Sequence, residues 1–379
     1  MKIAFIGQKG IPTKFGGVER YVEGVSQNLA KLGHDVFVYT RPYYTNSKKK
    51  TWRGVHLISI PSIYTKHLDA ISHVFVSTIH ALWQDYDVIH YQGVGPSLLS
   101  FIPRIFKPKT EVVVTFHSLD RNHAKWNWFA RIILTIGEWT ACKFPHRTVT
   151  VSKGLQKYCL ARYNSPTTYI PNGVYSKTAK GTQGFLNKLG LSKYKYFVVV
   201  ARFIKHKKIE DVMKAFSLLN KDDVKLVIVG DVSFTGEYAK KVKKSAGENV
   251  LFLSSLSAEP LFNLISDSLA FVSASEDEGM PISVLEALSL ATPVILSNIE
   301  GHRDAVEGCY WYDFPVADIN ALQNRMKYII RYQSKVRAEA KQNQKLIKEN
   351  YDWEGIASSL ADLYAQEINA PKSWQTSLF

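Results

Sequence analysis

Short apolar runs alternate along this chain with stretches in which apolar residues recur every three or four positions. The opening run KIAFIG gives way to a glycine-rich stretch and then to a helical pattern over residues 18–32, closed by Gly33. A glycine just past the last periodic residue is a helix stop. HDVFVYTRP, DVIHYQG and TEVVVTFHS read as buried strands that end in polar residues, and RTVTVS (147–152) and TTYIPNGV (167–174) as two more. Pro171, Asn172 and Gly173 then interrupt the pattern. It restarts with YFVVVARF, a helix over 209–219, VKLVIVGD, a helix over 237–246 and NVLFLSS. After one more helix come the strands LAFVSAS and TPVILSN, and the end of the chain is helical over 320–349 and 353–369. Strands alternating with helices build βαβ units and parallel sheets. The 379 residues exceed one ordinary core. The pattern therefore predicts an α/β protein of two domains, 1–172 and 173–379, with the last helix free to pack back on the first.

Composition changes the setting more than the fold. A hydrophobic share of 46% with 21% charged residues is that of an ordinary globular chain. Cys142, Cys159 and Cys309 are far apart and odd in number, without metal spacing or a disulfide framework. A reducing compartment is the simpler setting for them. The first apolar run is too short for a signal-peptide core, and no stretch reaches the roughly 18 apolar residues of a spanning helix. A cytoplasmic protein is expected, with a membrane surface still open to it. Net charge is +15, of which +13 falls in residues 1–172 and +2 in 173–379. Such a bias suits an anionic partner: nucleic acid, a phospholipid surface or a phosphorylated acceptor. A solvated basic surface with no partner is the plain alternative.

Four segments carry chemistry. In GQKGIPTKFGGVER, Gly7, Gly10, Gly16 and Gly17 stand between a strand and a helix. Glycines admit close backbone approach to a ligand, and the helix start favours phosphate. The spacing is not the dinucleotide fingerprint, and a plain glycine-rich turn is the alternative. In VVVTFHSLD, His117 ends an apolar strand, where an α/β sheet faces its ligand crevice. It can bond a substrate hydroxyl or assist a proton transfer, or simply be satisfied inside the fold. In VVVARFIKHKKIED, Arg202 and Lys207 precede a helix, with Lys205 and Lys208 beside them. Two fixed cations can offset a diphosphate leaving group without Mg²⁺; a solvated basic loop is the alternative. In SASEDEGMPISVLEALSLATPVILS, Glu278 and Gly279 lie in an acidic turn and Glu286 on the helix that starts near Pro281. That helix start can receive a diphosphate around Gly279, Met280 and Ile282. Glu278 can accept from sugar hydroxyls and Glu286 from a ribose diol. Acids also gather at helix starts for electrostatic reasons alone.

EGMPISVLEAL resembles the E-x7-E motif of glycosyltransferase family 4, a group with the GT-B fold. The glycine pair after the first strand, TFHS, IPNGV, the Arg and Lys pair, IVGD, the acidic turn, TPVILS and a closing YDWEGIASSLADLY follow in the family's order. The resemblance implies two Rossmann-like, doubly wound parallel-sheet domains facing a central cleft. It implies an enzyme that moves a hexose or deoxyhexose from a nucleotide-sugar with retention and without metal, the departing phosphate oxygen taking the acceptor proton. Gly16 and Gly17 would approach the donor diphosphate and Glu19 would orient that loop or the acceptor. His117 would contact the donor sugar and the reacting centre. Arg202 and Lys207 would clamp the diphosphate. Glu278 would hold sugar hydroxyls, Gly279 and Met280 would offer N–H groups, and Glu286 would bind ribose. Three positions depart from the family: Lys208 stands where glycine is usual, Pro281 removes a backbone donor, and Tyr175 replaces a common Asp. FIGQKGIPTKFGGVERYVE, HSLDRNHAKW and GEWTACKF further resemble bacterial rhamnosyltransferases of cell-surface polysaccharide synthesis.

Two helical stretches in the basic half, 66–83 and 124–139, bear on the acceptor. The second carries Trp126, Trp128, Phe129 and Trp139 with Lys125 and Arg131, which suits an anionic membrane surface and a glycan or lipid-linked acceptor. Packing against the sheet is the simpler account of those aromatics. Rival readings are a GT-B nucleotide-sugar 2-epimerase and a non-enzymatic basic binding protein. No nucleic-acid module is recognisable, so no nucleic-acid partner is expected.

Overall fold

The computed structural model describes residues 1–65, 68–122, 128–175, 183–230 and 236–369, and within them the chain builds two sheets. The first contains β1 (Lys2–Ile6), β2 (Asp35–Thr40), β3 (Thr51–Trp52), β4 (Val55–Ser59), β5 (Val88–Gln92), β6 (Glu111–Phe116), β7 (Arg147–Thr150) and β8 (Thr168–Tyr169). Their order is β3-β4-β2-β1-β5-β6-β7-β8. All neighbours are parallel except β3 and β4, a hairpin turned by Arg53 and Gly54 at φ 48° and 81°; two positive φ values are what such a two-residue turn requires. The second sheet contains β9 (Tyr196–Val200), β10 (Lys225–Val229), β11 (Val250–Leu253), β12 (Ala270–Ser273), β13 (Val294–Ser297) and β14 (Tyr312–Phe314). It is wholly parallel, in the order β11-β10-β9-β12-β13-β14. Strand order reverses at β1/β5 and at β9/β12. In open α/β sheets ligands bind beyond the strand ends at such points. The architecture is therefore the doubly wound pair of domains that the resemblance implies.

Helices α1 (Gly17–Lys31), α2 (Leu68–Leu82), α3 (Phe101–Phe106), α4 (Trp128–Lys143) and α5 (Lys153–Tyr163) accompany the first sheet. With the second go α6 (Ile209–Ser217), α7 (Gly236–Lys244), α8 (Ala258–Ser266), α9 (Ile282–Ser289), α10 (Glu300–Ala305), α11 (Ile319–Arg331) and α12 (Gln333–Asn350), and the chain's last described helix is α13 (Trp353–Asn369). Alternate residues divide the first sheet between two layers. Ala4, Ile6, Val112 and Val114 pack with Val74 of α2 and Leu134 of α4. Ile3, Phe5 and Val113 pack with Val22 of α1 and Leu360 of α13. Right-handed crossovers dictate that split, because β1 to β2 steps one way and β4 to β7 the other.

The terminal helix α13 lies against α1. A Cβ on Gly24 would stand 2.3 Å from the Trp353 indole, and one on Gly173 2.6 Å from it. The hydroxyl of Tyr364 meets Nδ1 of His90, in β5, at 2.7 Å. Elsewhere the structure departs from the pattern. The helix expected over 320–349 is broken at Tyr332, which caps α11 and opens α12 at φ −116°, ψ 38°. The two-residue strand β3 and the three-residue β14 are too short to show a period. The aromatics of α4 that can be described are not packed on the sheet: Trp128 is 74% exposed and Trp139 45%. Trp126, Lys125 and the side chain of Phe129 lie outside the described residues.

Candidate active site

The loop between β1 and α1 is tied down by its own helix. Gly16 precedes α1 at φ 106°, and a Cβ there would sit 1.8 Å from Oε2 of Glu19. Only glycine meets both conditions. Glu19 folds back over the loop and accepts from the Lys9 N–H at 2.9 Å. Glu23, one turn on, accepts from the Thr13 N–H at 2.5 Å. Of the two roles the sequence leaves to Glu19, the contacts are those of loop orientation. Gly17 is exposed with nothing within 4 Å of its Cβ direction, so the start of α1 is open to a ligand.

Just beyond β6, Nε2 of His117 donates to Oε1 of Gln92 at 3.0 Å, and its ring meets the edge of Tyr21 at 4.9 Å. Burial pushes its pKa down to about 4, with Asp120 pulling the other way. The imidazole is thus neutral at ordinary pH. Its carbonyl touches the second domain: a Cβ on Gly279 would lie 1.8 Å from the His117 oxygen. Gly301 of α10 is packed behind, 2.2 Å by the same measure from the Glu278 carbonyl.

On the second domain, Lys207 ends a single 3₁₀ turn (Lys205–Lys207) after β9, and its ammonium pairs with the Glu278 carboxylate. Both side chains are 15% exposed. Ser275 Oγ donates to the same oxygen of Glu278 at 2.8 Å. Burial alone would raise the Glu278 carboxyl; Lys207 outweighs it, with His302 and Ser275 assisting, and holds it down at about 2. His302 is itself fixed between Ser297 O (2.7 Å) and Ser273 Oγ (3.2 Å), and burial lowers it to about 4. Lys208 adopts φ 48°, ψ 42°, so the left-handed turn usual for glycine is kept. Its ammonium reaches Glu276 at 2.9 Å. Arg202 is exposed, and its guanidinium has no ion-pair partner among the described residues.

The helix α9 starts at Ile282, with Pro281 as its N-cap at φ −73°, ψ 113° rather than inside the first turn. Its earliest N–H groups have no intrahelical partner by position. The preceding Met280 is buried, and its carbonyl accepts from Asn172 Nδ2 at 2.6 Å. Glu286, on the same helix, pairs with Arg20 of α1 at 2.9 Å. His117 and Gly279, Lys207 and Glu278, and Glu19 and Gly16 are therefore brought together directly. Arg202 is exposed and joins none of these contacts. Arg20, Ser275, His302 and Gln92 were not marked by the sequence. Arg20 had a signal, since it follows the marked Glu19 on the first turn of α1.

Among the described residues no three His, Cys, Asp or Glu side chains group as metal ligands, and no helix is long and apolar enough to cross a membrane. Two family descriptions match the chain: Glycosyltransferase Family 4 over residues 15–177 and Glycosyl transferases group 1 over 185–351. An uncharacterized glycosyltransferase of Methanocaldococcus jannaschii is 24% identical, covering 96% of this chain and 98% of its own length. The alpha-monoglucosyldiacylglycerol synthase of Streptococcus pneumoniae is 24% identical over 74% of this chain and 67% of its own. The crystal structure of Anabaena HepE in complex with UDP-glucose superposes with a TM-score of 0.80 at 18% identity, covering 97% of this chain and 100% of that one.

Proposed function

Because the chain belongs to the group 1 and family 4 glycosyltransferases of GT-B fold, we propose that it moves a hexose or deoxyhexose from a nucleotide-sugar to a glycan or lipid-linked acceptor, with retention and without metal. The observation that carries this reading is the Gly279 backbone seated on the His117 carbonyl, which joins the carboxyl end of β6 to the start of α9. A diphosphate beside this junction meets the open start of α1 at Gly16 and Gly17 on one side. On the other it meets Gly279, Met280 and the first turn of α9. Lys207, paired with Glu278 next to Gly279, and exposed Arg202 would supply the cations. Together these offset the charge that develops on the leaving group. Glu278 keeps a carboxylate for sugar hydroxyls, Glu286 one for ribose, and neutral His117 offers the donor sugar a hydrogen bond. A front-face route, in which the phosphate oxygen takes the acceptor proton, needs no protein nucleophile. Positioning then supplies most of the acceleration.

For the acceptor, the outer layer of the first domain is informative. More than half of the large hydrophobic side chains left exposed in the described chain lie on α2, α3, α4 or Trp83, including Phe75, Phe106 and Trp128. The exposed charges on these helices are cationic, Arg131 and Lys143, while Asp69 and Glu138 are buried and paired with Arg41 and Arg121. Apolar helices whose described residues expose cations and no carboxylate fit an anionic bilayer, with Asp85, two residues past Trp83, the exposed acid nearest them in sequence. We place the enzyme on the cytoplasmic leaflet, working on an acceptor presented there. A relative named for a diacylglycerol product supports a lipid surface, and HepE with UDP-glucose supports a nucleotide-sugar donor. Rhamnose as the sugar rests on the N-terminal sequence resemblance alone. The test is the product: nuclear magnetic resonance of the transferred sugar should show the donor's anomeric configuration, formed equally in the presence of a chelator. Inversion, or loss of transfer on chelation, would overturn the mechanism.

A further inference from the structure

No motif marked Arg20, yet its side chain spans the cleft. It leaves the first turn of α1, passes with its guanidinium carbon 5.9 Å from the Phe262 ring centroid of α8, and pairs with Oε1 of Glu286 at 2.9 Å. The two side chains are 18% and 5% exposed. Oε2 of Glu286 has no partner among the described residues, so its lone pairs are available to a ligand hydroxyl.

We propose that Arg20 is a positioning residue for the donor: from the first domain it holds the Glu286 carboxylate ionised and oriented in the second, so that the ribose site is complete only when the domains are closed. The inference rests on Glu286 being the ribose-binding carboxylate. Its physical ground is the depth of the pair. Burial raises the Glu286 carboxyl; Arg20 opposes that rise, and Glu23, also on α1, adds to it. From α8 the neighbour is the uncharged Phe262. Without Arg20, Glu286 takes up a proton more readily, and a carboxylate that accepts from two hydroxyls becomes an acid that accepts poorly. Glu19 and Glu23 meanwhile fix the phosphate-facing loop to the same helix. One helix thus links the diphosphate end of the site to its ribose end.

The experiment is calorimetric titration of UDP, GDP, ADP and dTDP, with the tightest binder carried into the variants. Each variant's affinity is read as a ratio to the wild type at the same pH, at about pH 6 and about pH 8.5, so that titration of the nucleotide's own phosphate cancels. Arg20→Met should weaken binding about tenfold near pH 6 and distinctly less near pH 8.5, and Arg20→Lys should restore most of it. Glu286→Gln should weaken binding with a flat profile, and adding Arg20→Met to it should cost little more. Tighter binding by Arg20→Met, or an equal loss at every pH, overturns the inference. Glu286→Gln binding like the wild type instead overturns the ribose reading beneath it. Failure of all four nucleotides to bind overturns the function and this inference together.

Discussion

Gly279 and His117 belong to different domains, yet a single added carbon on Gly279 would come within 1.8 Å of the His117 carbonyl oxygen. The partner atom is backbone, so it cannot swing aside. Gly279→Ala should push the acidic turn off β6 and displace the diphosphate site from the strand end. A misplacement of about 1 Å costs on the order of 100-fold in rate. Steady-state transfer should fall by that order while circular dichroism stays unchanged, because neither sheet depends on this contact. Near-wild-type transfer would mean that the contact does not set the site.

Lys207 and Glu278 form a partly buried pair, each side chain 15% exposed. Lys207→Met leaves the Glu278 carboxylate without its cation, which should destabilise by less than the roughly 3–5 kcal/mol of a fully buried broken pair. The double variant Lys207→Met, Glu278→Gln should recover much of that, as read by urea denaturation. The pH dependence has a definite sign. The Glu278 carboxyl is depressed from 4.5 to about 2 in the folded protein. Its contribution is complete above the unfolded value and is lost as pH falls through the folded one. The stability gap between wild type and Glu278→Gln should therefore narrow only below about pH 4.5.

His117 is held neutral, its pKa lowered to about 4 by burial. Its state does not change in the range where free histidines titrate. The kcat/KM profile should therefore show no inflection near pH 6.5 that disappears in His117→Asn. Such an inflection would show that the ring is solvated and charged during turnover.

Trp83, Trp128 and Trp139 lie on the outer face of the first domain, the first two 83% and 74% exposed. Replacing Trp83 and Trp128 by Ser removes apolar surface that the fold does not bury, so the melting temperature should stay within about 2 °C; Trp139 is left in place because its ring also packs on Phe144. Co-sedimentation with phosphatidylglycerol vesicles should fall severalfold, and residual binding should weaken with salt. Equal sedimentation with neutral vesicles, or no effect of the double variant, would contradict a membrane role for this face.

What the sequence disclosed and what it withheld have physical causes. Strands such as β6 and β10 are apolar along their length because both faces are covered, and helices such as α1 and α13 carry a clear period; these were legible. The strands β3 and β14 are too short for any period, and the break at Tyr332 is set by local backbone geometry. Within the site, strand ends and helix starts mark their residues by position, which is how His117, Glu278 and Glu286 were found. The partners that tune them come from remote segments. Arg20 meets Glu286 across 266 positions of sequence and His302 fixes Ser273 from another helix, so no local pattern could pair them. Period alone cannot tell an inward stripe from an outward one, which is why packing against the sheet is the simpler account of the α4 aromatics in the sequence; in the fold Leu134 faces in, while Trp128, Ile132 and Ile136 face out.

The central claim is that a nucleoside-diphosphate sugar occupies the cleft between the two sheets. A thermal-shift panel of nucleoside diphosphates and their sugars tests it most directly. A ligand at 100 times its dissociation constant stabilises the folded state by about 2.7 kcal/mol, a shift of several degrees. The account predicts such a shift for at least one nucleoside diphosphate and its sugar, with dTDP-rhamnose the first to try and UDP-sugars beside it. It also predicts that Glu286→Ala abolishes the shift. No response across the whole panel, or an undiminished response in Glu286→Ala, would contradict it.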